Sequence, residues 1–396
     1  MRILHTADWH LGRILHGVRL TDDQACVLDQ LVAMARDTSP DAIVIAGDVY
    51  DRALPPPEAV ELLSETLARL AAETRAHVVI IAGNHDSATR LGFGAELLRA
   101  ARVHLHTRFT AAPAPLTLED EHGPVRIWPL PYAEPALARN ITGNEAIVTH
   151  EDLFAHVLAN IRTHLSALPR GRDVLCAHAT VLGAQTAADT VDAAERPLAI
   201  GGAEAVPPAL FDGFHYVALG HLHRAQRVGA PNVRYAGSPL KYSSAEVTHR
   251  KSATLVELDA LGRTRVETLP FAPRRDLRVV RGTLEELLTN ARDDPAREDY
   301  ILAELLDTRP VPDPKERLRE VYPNILAIRP KGLEGTADGV GGGRHELLEK
   351  ASRSPLDLFA EFHAFVTDGE EPDEETRALV REVITSAERR RREGAA

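Results

Sequence analysis

The stretch Arg2–Gly12, which reads RILHTADWHLG, decides the fold class of this chain. It places a short, mainly apolar run before the small residue Ala7, and the polar residues Asp8 and His10 follow. Such a run indicates a buried strand, and the polar residues beyond it indicate the loop at its end. The same order returns as AIVIAGDVYDR at 42–52, VVIIAGNHD at 78–86, VLCAH at 174–178 and YVALGHLH at 216–223.

Two amphipathic stretches separate the first three of these strands. Residues 22–36 and 57–72 carry apolar side chains at spacings of three and four, and the prolines at 55–57 stand where a helix should begin. Alternating strands and helices predict an α/β core built in layers. In such a core the polar residues beyond the strand ends gather along one rim.

Side chains that can donate an oxygen or a nitrogen to a metal lie directly beyond the strand runs. They are Asp8, His10, Asp48, Asn84, His178, His221 and His223. Two divalent cations roughly 3.5–4 Å apart need about this many protein ligands together with water. The set contains no thiolate, which favours manganese or iron over a structural zinc ion. We therefore predict a two-metal site in which one carboxylate is shared.

Each motif has a simpler interpretation when it stands alone. A DxH or GxH triplet after a strand is usually a helix cap or a surface turn. GDVYDR and GNHD are more specific, because a glycine permits a tight turn directly before each candidate ligand. The order of all five blocks along one chain favours the metal site over unrelated turns.

The composition is that of a globular protein with more than one domain: 396 residues, 44% hydrophobic and 26% charged. No segment has the apolar length of a membrane span, and Asp8 and His10 interrupt the place of a signal peptide, so we expect a cytoplasmic protein. Cys26 and Cys176 lack ligand spacing and should be buried thiols. The net charge of −12 argues weakly against a nucleic-acid partner, although a local arginine cluster can serve DNA on an acidic protein.

The five blocks, with YAGSP at 235–239 as a sixth, resemble those of the calcineurin-like metallophosphoesterases. Within that superfamily the opening ILHTADWHLGR, ERPLAIGG at 195–202 and GSPLKYS at 237–243 are similar to the SbcD nuclease subunits of bacterial SbcC/SbcD complexes. The resemblance is weakest at 99–130 and in the C-terminal third. It implies an α/β core of two packed mixed sheets flanked by helices, a small α+β capping domain and C-terminal helices.

The resemblance also assigns the site residues and the cofactor. The expected cofactor is two divalent cations, and the expected metal is Mn²⁺. One ion would be held by Asp8, His10, Asp48 and His223, and the other by Asp48, Asn84, His178 and His221. His85 would assist the leaving group or the charged transition state, with Asp51 as the residue that orients it.

Further polar residues are less specific. Arg13, His16 and Arg52 are candidates for contacts with substrate phosphate, although a solvated loop position is the alternative for His16. The remaining histidines without a partner at ligand spacing are expected to be core or surface imidazoles: His5, His77, His104, His106, His150 and His215.

Beyond residue 272 the character of the chain changes, and the phosphoesterase domain is expected to span 1–272. A strand at Leu277–Gly282, a helix capped by Thr283 and a helix from Pro314 indicate a small domain, taken as a capping and DNA-recognition domain at 273–333. The arginines that make its entrance basic suit contact with phosphates, or form an ordinary solvated cluster. They are Arg274, Arg275, Arg278 and Arg281.

A glycine-rich linker is predicted at 334–354, and a helical region at 355–396. Amphipathic stretches at 355–366 and 374–391 are too short to build a core of their own. They either dock on a partner, which by resemblance is the ATPase SbcC, or pack back on this chain.

Three classes of function follow from these observations. The first is a DNA nuclease that combines 3′–5′ double-strand exonuclease and single-strand or hairpin endonuclease activity, regulated by ATP through SbcC. By resemblance it would serve DNA repair, recombination and replication as a homodimer that forms a heterotetramer with SbcC. The second is a metallophosphatase for small phosphoesters or phosphoproteins. The third, a scaffold with a vestigial site, conflicts with the competent residue at every ligand position.

Overall fold

The computed structural model describes residues 1–182, 205–309, 311–330, 372–373 and 376–381. The chain forms two compact units, Met1–Gly332 and Leu333–Ala396. In the second unit residues 376–381 are helical, whereas the predicted linker at 334–354 and most of the predicted helical region lie outside the described residues. No helix in the described part of the chain combines the length and the apolarity that a membrane span requires.

Strands and helices alternate through the first unit. The strands are β1 Arg2–Thr6, β2 Ile14–Leu15, β3 Val18–Arg19, β4 Ala42–Ala46, β5 His77–Ile81, β6 Val103–His106, β7 Leu116–Asp120, β8 Gly123–Leu130, β9 Arg172–His178, β10 Thr180–Val181, β11 Ala205–Val206, β12 Tyr216–Gly220, β13 Gln226–Val228, β14 Ala230–Tyr235, β15 Ser252–Leu258, β16 Thr264–Pro270, β17 Leu277–Gly282, β18 Tyr300–Leu305 and β19 Ile325–Pro330. The α-helices are α1 Thr21–Thr38, α2 Pro57–Glu73, α3 Ala88–Leu91, α4 Ala95–Leu98, α5 Pro135–Thr142, α6 His150–Ser166, α7 Leu284–Asn290 and α8 Pro314–Arg319, with 3₁₀ turns at Arg99–Ala101, Pro208–Phe211 and Ser244–Glu246.

The first large sheet has the strand order β16-β15-β1-β4-β5-β6. Strands β1, β4, β5 and β6 run parallel, and β15 pairs antiparallel with β1. The parallel strands read as continuous apolar runs because both of their faces are covered. Helices α1 and α2 connect β1 to β4 and β4 to β5, as the spacing of their apolar residues predicted.

The second large sheet has the order β13-β14-β12-β9-β8-β7, in which β14, β12, β9 and β8 are parallel. An apolar layer joins the inner faces of the two sheets and includes Ile3, Val44, Val79, Val174 and Ala218, all fully buried. Two further apolar clusters cover the outer faces. The structure is therefore two packed mixed sheets flanked by helices, which confirms the predicted fold class.

The segment from Leu277 onward builds a small parallel sheet of order β17-β18-β19 with helices α7 and α8. Thr283 caps α7 through a capping box with Glu286, as its sequence predicted. Residues such as Leu287, Ile301 and Tyr322 form an apolar core separate from the others. We refer to residues 277–330 as the second domain.

Two expectations need correction. The polar loops do not follow one sheet edge, because β1, β4 and β5 belong to the first sheet and β9 and β12 to the second. Cys176 is buried, but Cys26 is only partly so, since it lies on α1 at the margin of the covered face.

Candidate metal centre

The predicted ligands converge where the ends of the two sheets meet. Asp8 and His10 follow β1, Asp48 follows β4, and Asn84 follows β5. His178 ends β9, and His221 and His223 follow β12. Among the described residues, three groups have ligand atoms within 4.8 Å of one another: Asp8, His10 and Asp48; Asp48, His178 and His221; and His10, Asp51 and His85.

The Asp48 carboxylate lies at the centre of this arrangement. Its Oδ2 atom is 3.6 Å from Nε2 of His10 and 3.5 Å from Nε2 of His178. Burial would raise the pKa of Asp48, but His178 holds that pKa well below its ordinary value. Asp48 is therefore ionised and faces an imidazole on either side, which is the position of a shared ligand.

His178 is held with one ring nitrogen directed at this centre. Its Nδ1 atom donates to the backbone oxygen of Ala46 at 2.8 Å, and its Nε2 atom lies 2.9 Å from Oδ1 of Asn84. Two acceptor atoms at that distance need a proton or a cation between them. Burial would lower the pKa of His178, but Asp48 outweighs it and raises the pKa to about 9. Either a proton on Nε2 or a bound cation would satisfy these two atoms, so the position fits a metal ligand.

His10 and His223 face each other on the other side of Asp48, with their Nε2 atoms 3.0 Å apart. Nδ1 of His223 donates to Oε1 of Glu246 at 3.0 Å, which leaves Nε2 as the metal-facing atom. Burial lowers the pKa of His10 to about 4, so this imidazole is neutral and able to coordinate.

Asp8 supplies a buried carboxylate with an unused oxygen. Its Oδ1 atom accepts from the backbone N–H of His221 at 2.8 Å, and Oδ2 has no hydrogen-bond partner in the described part of the chain. Burial raises the pKa of Asp8 to about 7. An orphaned, fully buried carboxylate oxygen is costly unless a cation binds it, so the donor set fits a metal.

His221 and Asn84 complete the set. Nδ1 of His221 is 3.1 Å from Oδ1 of Asn84, the same oxygen that approaches His178. Burial lowers the pKa of His221 to about 3, which keeps the ring neutral. All seven predicted donors are thus brought together in one place.

His85 lies beside the donors, although its contact with Asp51 differs from the expected one. Its Nδ1 atom donates to the backbone oxygen of Asp51 at 2.9 Å, and the backbone N–H of His85 donates to Oδ1 of Asp48. The Asp51 carboxylate instead lies 3.6 Å from Nδ1 of His10 and accepts from Arg13 at 2.9 Å. Asp51 therefore orients His85 through its main chain, and its side chain supports His10.

The candidate substrate contacts have uneven surroundings. Arg13 and Arg52 both approach the Asp51 carboxylate, and the Arg52 side chain is 62% exposed. His16 is exposed in the tight turn between β2 and β3, with a φ of 47°. Both arginine side chains remain partly exposed and could contact a substrate phosphate, but their present contacts are with Asp51.

The basic entrance of the second domain is largely neutralised. Arg278 pairs with Asp294 at 2.9 Å and with Asp299 at 2.6 Å. The other three lie within 4 Å of carboxylates: Arg274 of Asp22, Arg275 of Asp23 and Arg281 of Glu304. These contacts favour the structural interpretation of the cluster over a phosphate site.

Three residues that support the site were missed by sequence reasoning, of which Glu246 and Gln24 are buried and Asp86 is half-buried. Glu246 binds His223 and Lys251, and Lys251 holds its pKa below the ordinary value against the effect of burial. Asp86 accepts from the backbone N–H groups of Val49, Tyr50 and Gly83. Gln24 bonds to the backbone of the loop after β1. Only Asp86 lay inside a noticed motif, GNHD, while Glu246 followed the YAGSP block.

Most of the remaining histidines have structural partners. His5 is fully buried and bonds to Tyr216 and to the backbone of Leu219. His77 and His104 contact each other, their ring nitrogens 3.0 Å apart, and His215 accepts from the Asp173 N–H. His106 is half-buried and His150 is buried at the start of α6.

Two known families match this sequence. The calcineurin-like phosphoesterase family matches residues 1–225, more than half of the chain, and the chain belongs to that family, whose members use divalent metals. The SbcD_C family, described as a type 5 capsule protein repressor C-terminal domain, matches residues 273–367. The two matches together are consistent with an SbcD nuclease subunit.

Solved structures of low sequence similarity were also found. The Thermus thermophilus protein TT1561 is 14% identical, with a TM-score of 0.37, and the match covers 67% of this chain and 98% of that one. A dimetal phosphatase from Danio rerio is 11% identical, also with a TM-score of 0.37, and the match covers 68% of this chain and 96% of that one.

Proposed function

We propose that this chain is a two-metal phosphodiesterase that cleaves DNA. One ion would be held by Asp8, His10, Asp48 and His223, and the second by Asp48, Asn84, His178 and His221. Three donors of each set cluster closely, and His223 and Asn84 lie 3.0 and 2.9 Å from His10 and His178. The proposal depends most on the central position of the Asp48 carboxylate. Its Oδ2 atom lies 3.6 Å from Nε2 of His10 in the first ligand set and 3.5 Å from Nε2 of His178 in the second. The oxygen and nitrogen donors suit Mn²⁺.

When bound, the ions supply an activated water and neutralise charge on the phosphate. The residues of the chain fix the geometry for that chemistry. Glu246 and the Ala46 carbonyl hold the tautomers of His223 and His178, so that both present Nε2. His85, anchored through Nδ1, keeps Nε2 for the substrate, where it supports the charge that develops on phosphate or the departing oxygen.

The choice of DNA as substrate is supported by the C-terminal match. A phosphoesterase alone accommodates many esters, whereas an SbcD_C segment at 273–367 is a feature of the SbcD type of chain. We infer 3′–5′ exonuclease action on duplex ends and endonuclease action on single strands and hairpins, regulated by ATP through SbcC. The expected setting is DNA repair, recombination and replication in the cytoplasm, as a homodimer within a heterotetramer.

A metallophosphatase for small phosphoesters or phosphoproteins is the second candidate. The net charge of −12 and the carboxylate-paired arginines of residues 274–281 favour it, because neither offers DNA an open basic surface.

The deciding experiment gives the purified chain end-labelled duplex DNA, hairpin DNA and a panel of nitrophenyl esters, each with Mn²⁺, Mg²⁺ or chelator. Shortening of DNA with Mn²⁺ and none with chelator supports the nuclease. Hydrolysis of the monoesters with intact DNA would transfer the assignment to the phosphatase.

A further inference from the structure

The second domain is joined to the loop that carries Asp8 and His10 by hydrogen bonds through two pairs of adjacent residues. We refer to residues 7–12 as the ligand loop. In the first pair, Asp23 accepts from the Tyr300 hydroxyl of β18 at 2.7 Å. Its neighbour Gln24 donates to the backbone oxygen of His10 at 2.7 Å, and its Oε1 accepts from Gly12 at 3.1 Å.

The second pair is Lys241 and Tyr242. Nζ of Lys241 donates to the Asp276 carboxylate at 2.8 Å and to the backbone oxygen of Leu277 at 3.2 Å, at the entrance to β17. The Tyr242 hydroxyl donates to the backbone oxygen of Trp9 and accepts from Nε2 of Gln24 at 3.2 Å. In each pair one residue thus contacts the start or body of the second domain, and the next contacts the ligand loop.

These contacts hold a loop that needs support. His10 has a φ of 45°, a left-handed conformation that a non-glycine residue keeps only when its surroundings enforce it. Gln24 and Tyr242 are both 1% exposed, so their polar groups cannot exchange the protein partners for water. The Tyr242 N–H also donates to Glu246, which in turn accepts from His223. Tyr242 therefore contacts the ligand loop through its hydroxyl and the support of His223 through its backbone.

We propose that Gln24 and Tyr242 are positioning residues for the metal centre, and that the second domain, through Tyr300 and Lys241, fixes the ligand loop in its metal-binding conformation. The inference rests on the proposed metal role of Asp8 and His10. It gives the second domain a part in holding the ion, in addition to any contact with substrate.

The test measures the Mn²⁺ dissociation constant of the full-length protein by isothermal titration calorimetry, without substrate. Gln24→Met keeps the side-chain length but removes the bonds to the loop, and should weaken Mn²⁺ binding by about 10- to 100-fold, as loss of an outer-shell partner does. Tyr300→Phe removes the hydroxyl that bonds to Asp23, and Lys241→Met removes the bonds to Asp276 and Leu277 together with one to the backbone oxygen of Val247. Each should weaken Mn²⁺ binding by less than Gln24→Met does, by about three- to tenfold, because it acts on the ligand loop through a neighbouring residue.

Gln30→Ala is the matched control. Gln30 also joins α1 to the segment leading into the second domain, through bonds to the N–H and the carbonyl of Ala272, at 2.9 and 2.7 Å, but none of its described contacts reaches the ligand loop. This variant should bind Mn²⁺ as the unaltered protein does. Thermal unfolding of each variant separates folding from binding, and Tyr300→Phe decides alone if Lys241→Met does not fold.

An unchanged Mn²⁺ constant in folded Tyr300→Phe would overturn the inference, and so would an equal loss in Gln30→Ala. A parent protein that binds Mn²⁺ but does not cut DNA overturns only the proposed substrate. A parent protein that binds no ion overturns both.

Discussion

Several candidate ligands of the metal centre have a left-handed backbone conformation, which residues other than glycine rarely adopt. Four of them have positive φ angles: 55° for Asp8, 45° for His10, 48° for Asp48 and 108° for His221. Each such conformation costs on the order of 1–3 kcal/mol, and it persists only where the surrounding structure imposes it. The strain turns these side chains inward at the strand ends, and the bonds made by Gln24, Asp86 and the Asp8 carboxylate maintain it.

At this scale we predict that His85→Ala retains metal binding but loses cleavage. The imidazole contacts Asp51 and the ring of His10 without being one of the seven donors. DNA cleavage should fall by about 10²–10⁴-fold, the usual contribution of a positioned acid or base. Rates from gel assays and Mn²⁺ constants from calorimetry are compared with those of the exposed-site control His122→Ala. Cleavage at the parental rate would remove His85 from the mechanism.

A second prediction concerns His5 and pH. Burial lowers the pKa of His5 to about 3, from an ordinary value of 6.5, so the unfolded chain binds a proton there that the folded chain does not. The corresponding stability is present above about pH 6.5 and is lost as pH falls toward 3. Between pH 7 and pH 5 this group alone should remove about 2 kcal/mol from the free energy of unfolding.

Chemical denaturation at the two pH values, with chelator present, measures this loss. His5→Gln cannot ionise and should show a smaller loss, whereas the exposed-site variant His122→Gln should behave as the parent. Identical pH dependence in His5→Gln and the parent would contradict the assignment.

At the scale of elements, the centre depends on close approach between a strand of each sheet. Gly220 ends β12, and a Cβ added there would lie 1.8 Å from the backbone oxygen of Ala46 at the end of β4. Gly47, with a φ of 89°, leaves room for His178 in the same way, since an added Cβ would lie 2.3 Å from its Nδ1. Glycine at these two positions lets the candidate donors of both sheets meet at one centre.

We therefore predict that Gly220→Ala separates the two strand ends. The free energy of unfolding should fall by about 3 kcal/mol or more, since overpacking against backbone cannot relax through a side chain. Mn²⁺ binding should weaken in parallel, as measured by calorimetry.

Gly213→Ala, at the other end of β12, is the control for this substitution. Gly213 has a φ of 97° but no atom within 4 Å of an added Cβ, so it should lose about 1 kcal/mol from backbone strain and keep its ion affinity. Equal effects of the two alanines on Mn²⁺ binding would show that the strand contact is unimportant.

At the scale of the whole molecule, the metal centre and the second domain both belong to the unit Met1–Gly332. Every donor and every support named above lies in that unit. The segment from Leu333 onward forms a separate unit, so catalysis and partner binding should be separable along the chain.

Removal of the residues after Gly343 tests this separation. The shortened chain should keep Mn²⁺-dependent DNA cleavage, because the complete donor set remains, and should no longer co-purify with SbcC. Activity is measured on labelled duplex DNA, and association by co-expression and affinity capture. Persistence of the complex would place the SbcC contact elsewhere, and loss of cleavage would show that the C-terminal unit is needed for the site.

The strands, the helices and the donor types could be predicted from sequence because their signals are local. A buried parallel strand is continuously apolar, and a donor must follow it directly to reach the end of the sheet. Ala42–Ala46 and Asp48 meet both conditions, so the strand and its candidate ligand can be predicted together from the sequence. Glu246 and Gln24 carry no such signal. An acidic residue in a loop and a glutamine on a helix are ordinary until the fold shows which atoms they contact.

The sequence by itself determined the fold class and predicted the seven candidate donors, since each depends on a strand and the few residues beyond it. Only the tertiary structure decided that the donors come from two sheets, that His85 bonds to the backbone of Asp51, and that the arginines at 274–281 face carboxylates. These features depend on contacts between segments far apart in the chain. Hydrophobic patterning requires that such segments pack together, but the shape of the packed interface selects which polar atoms meet.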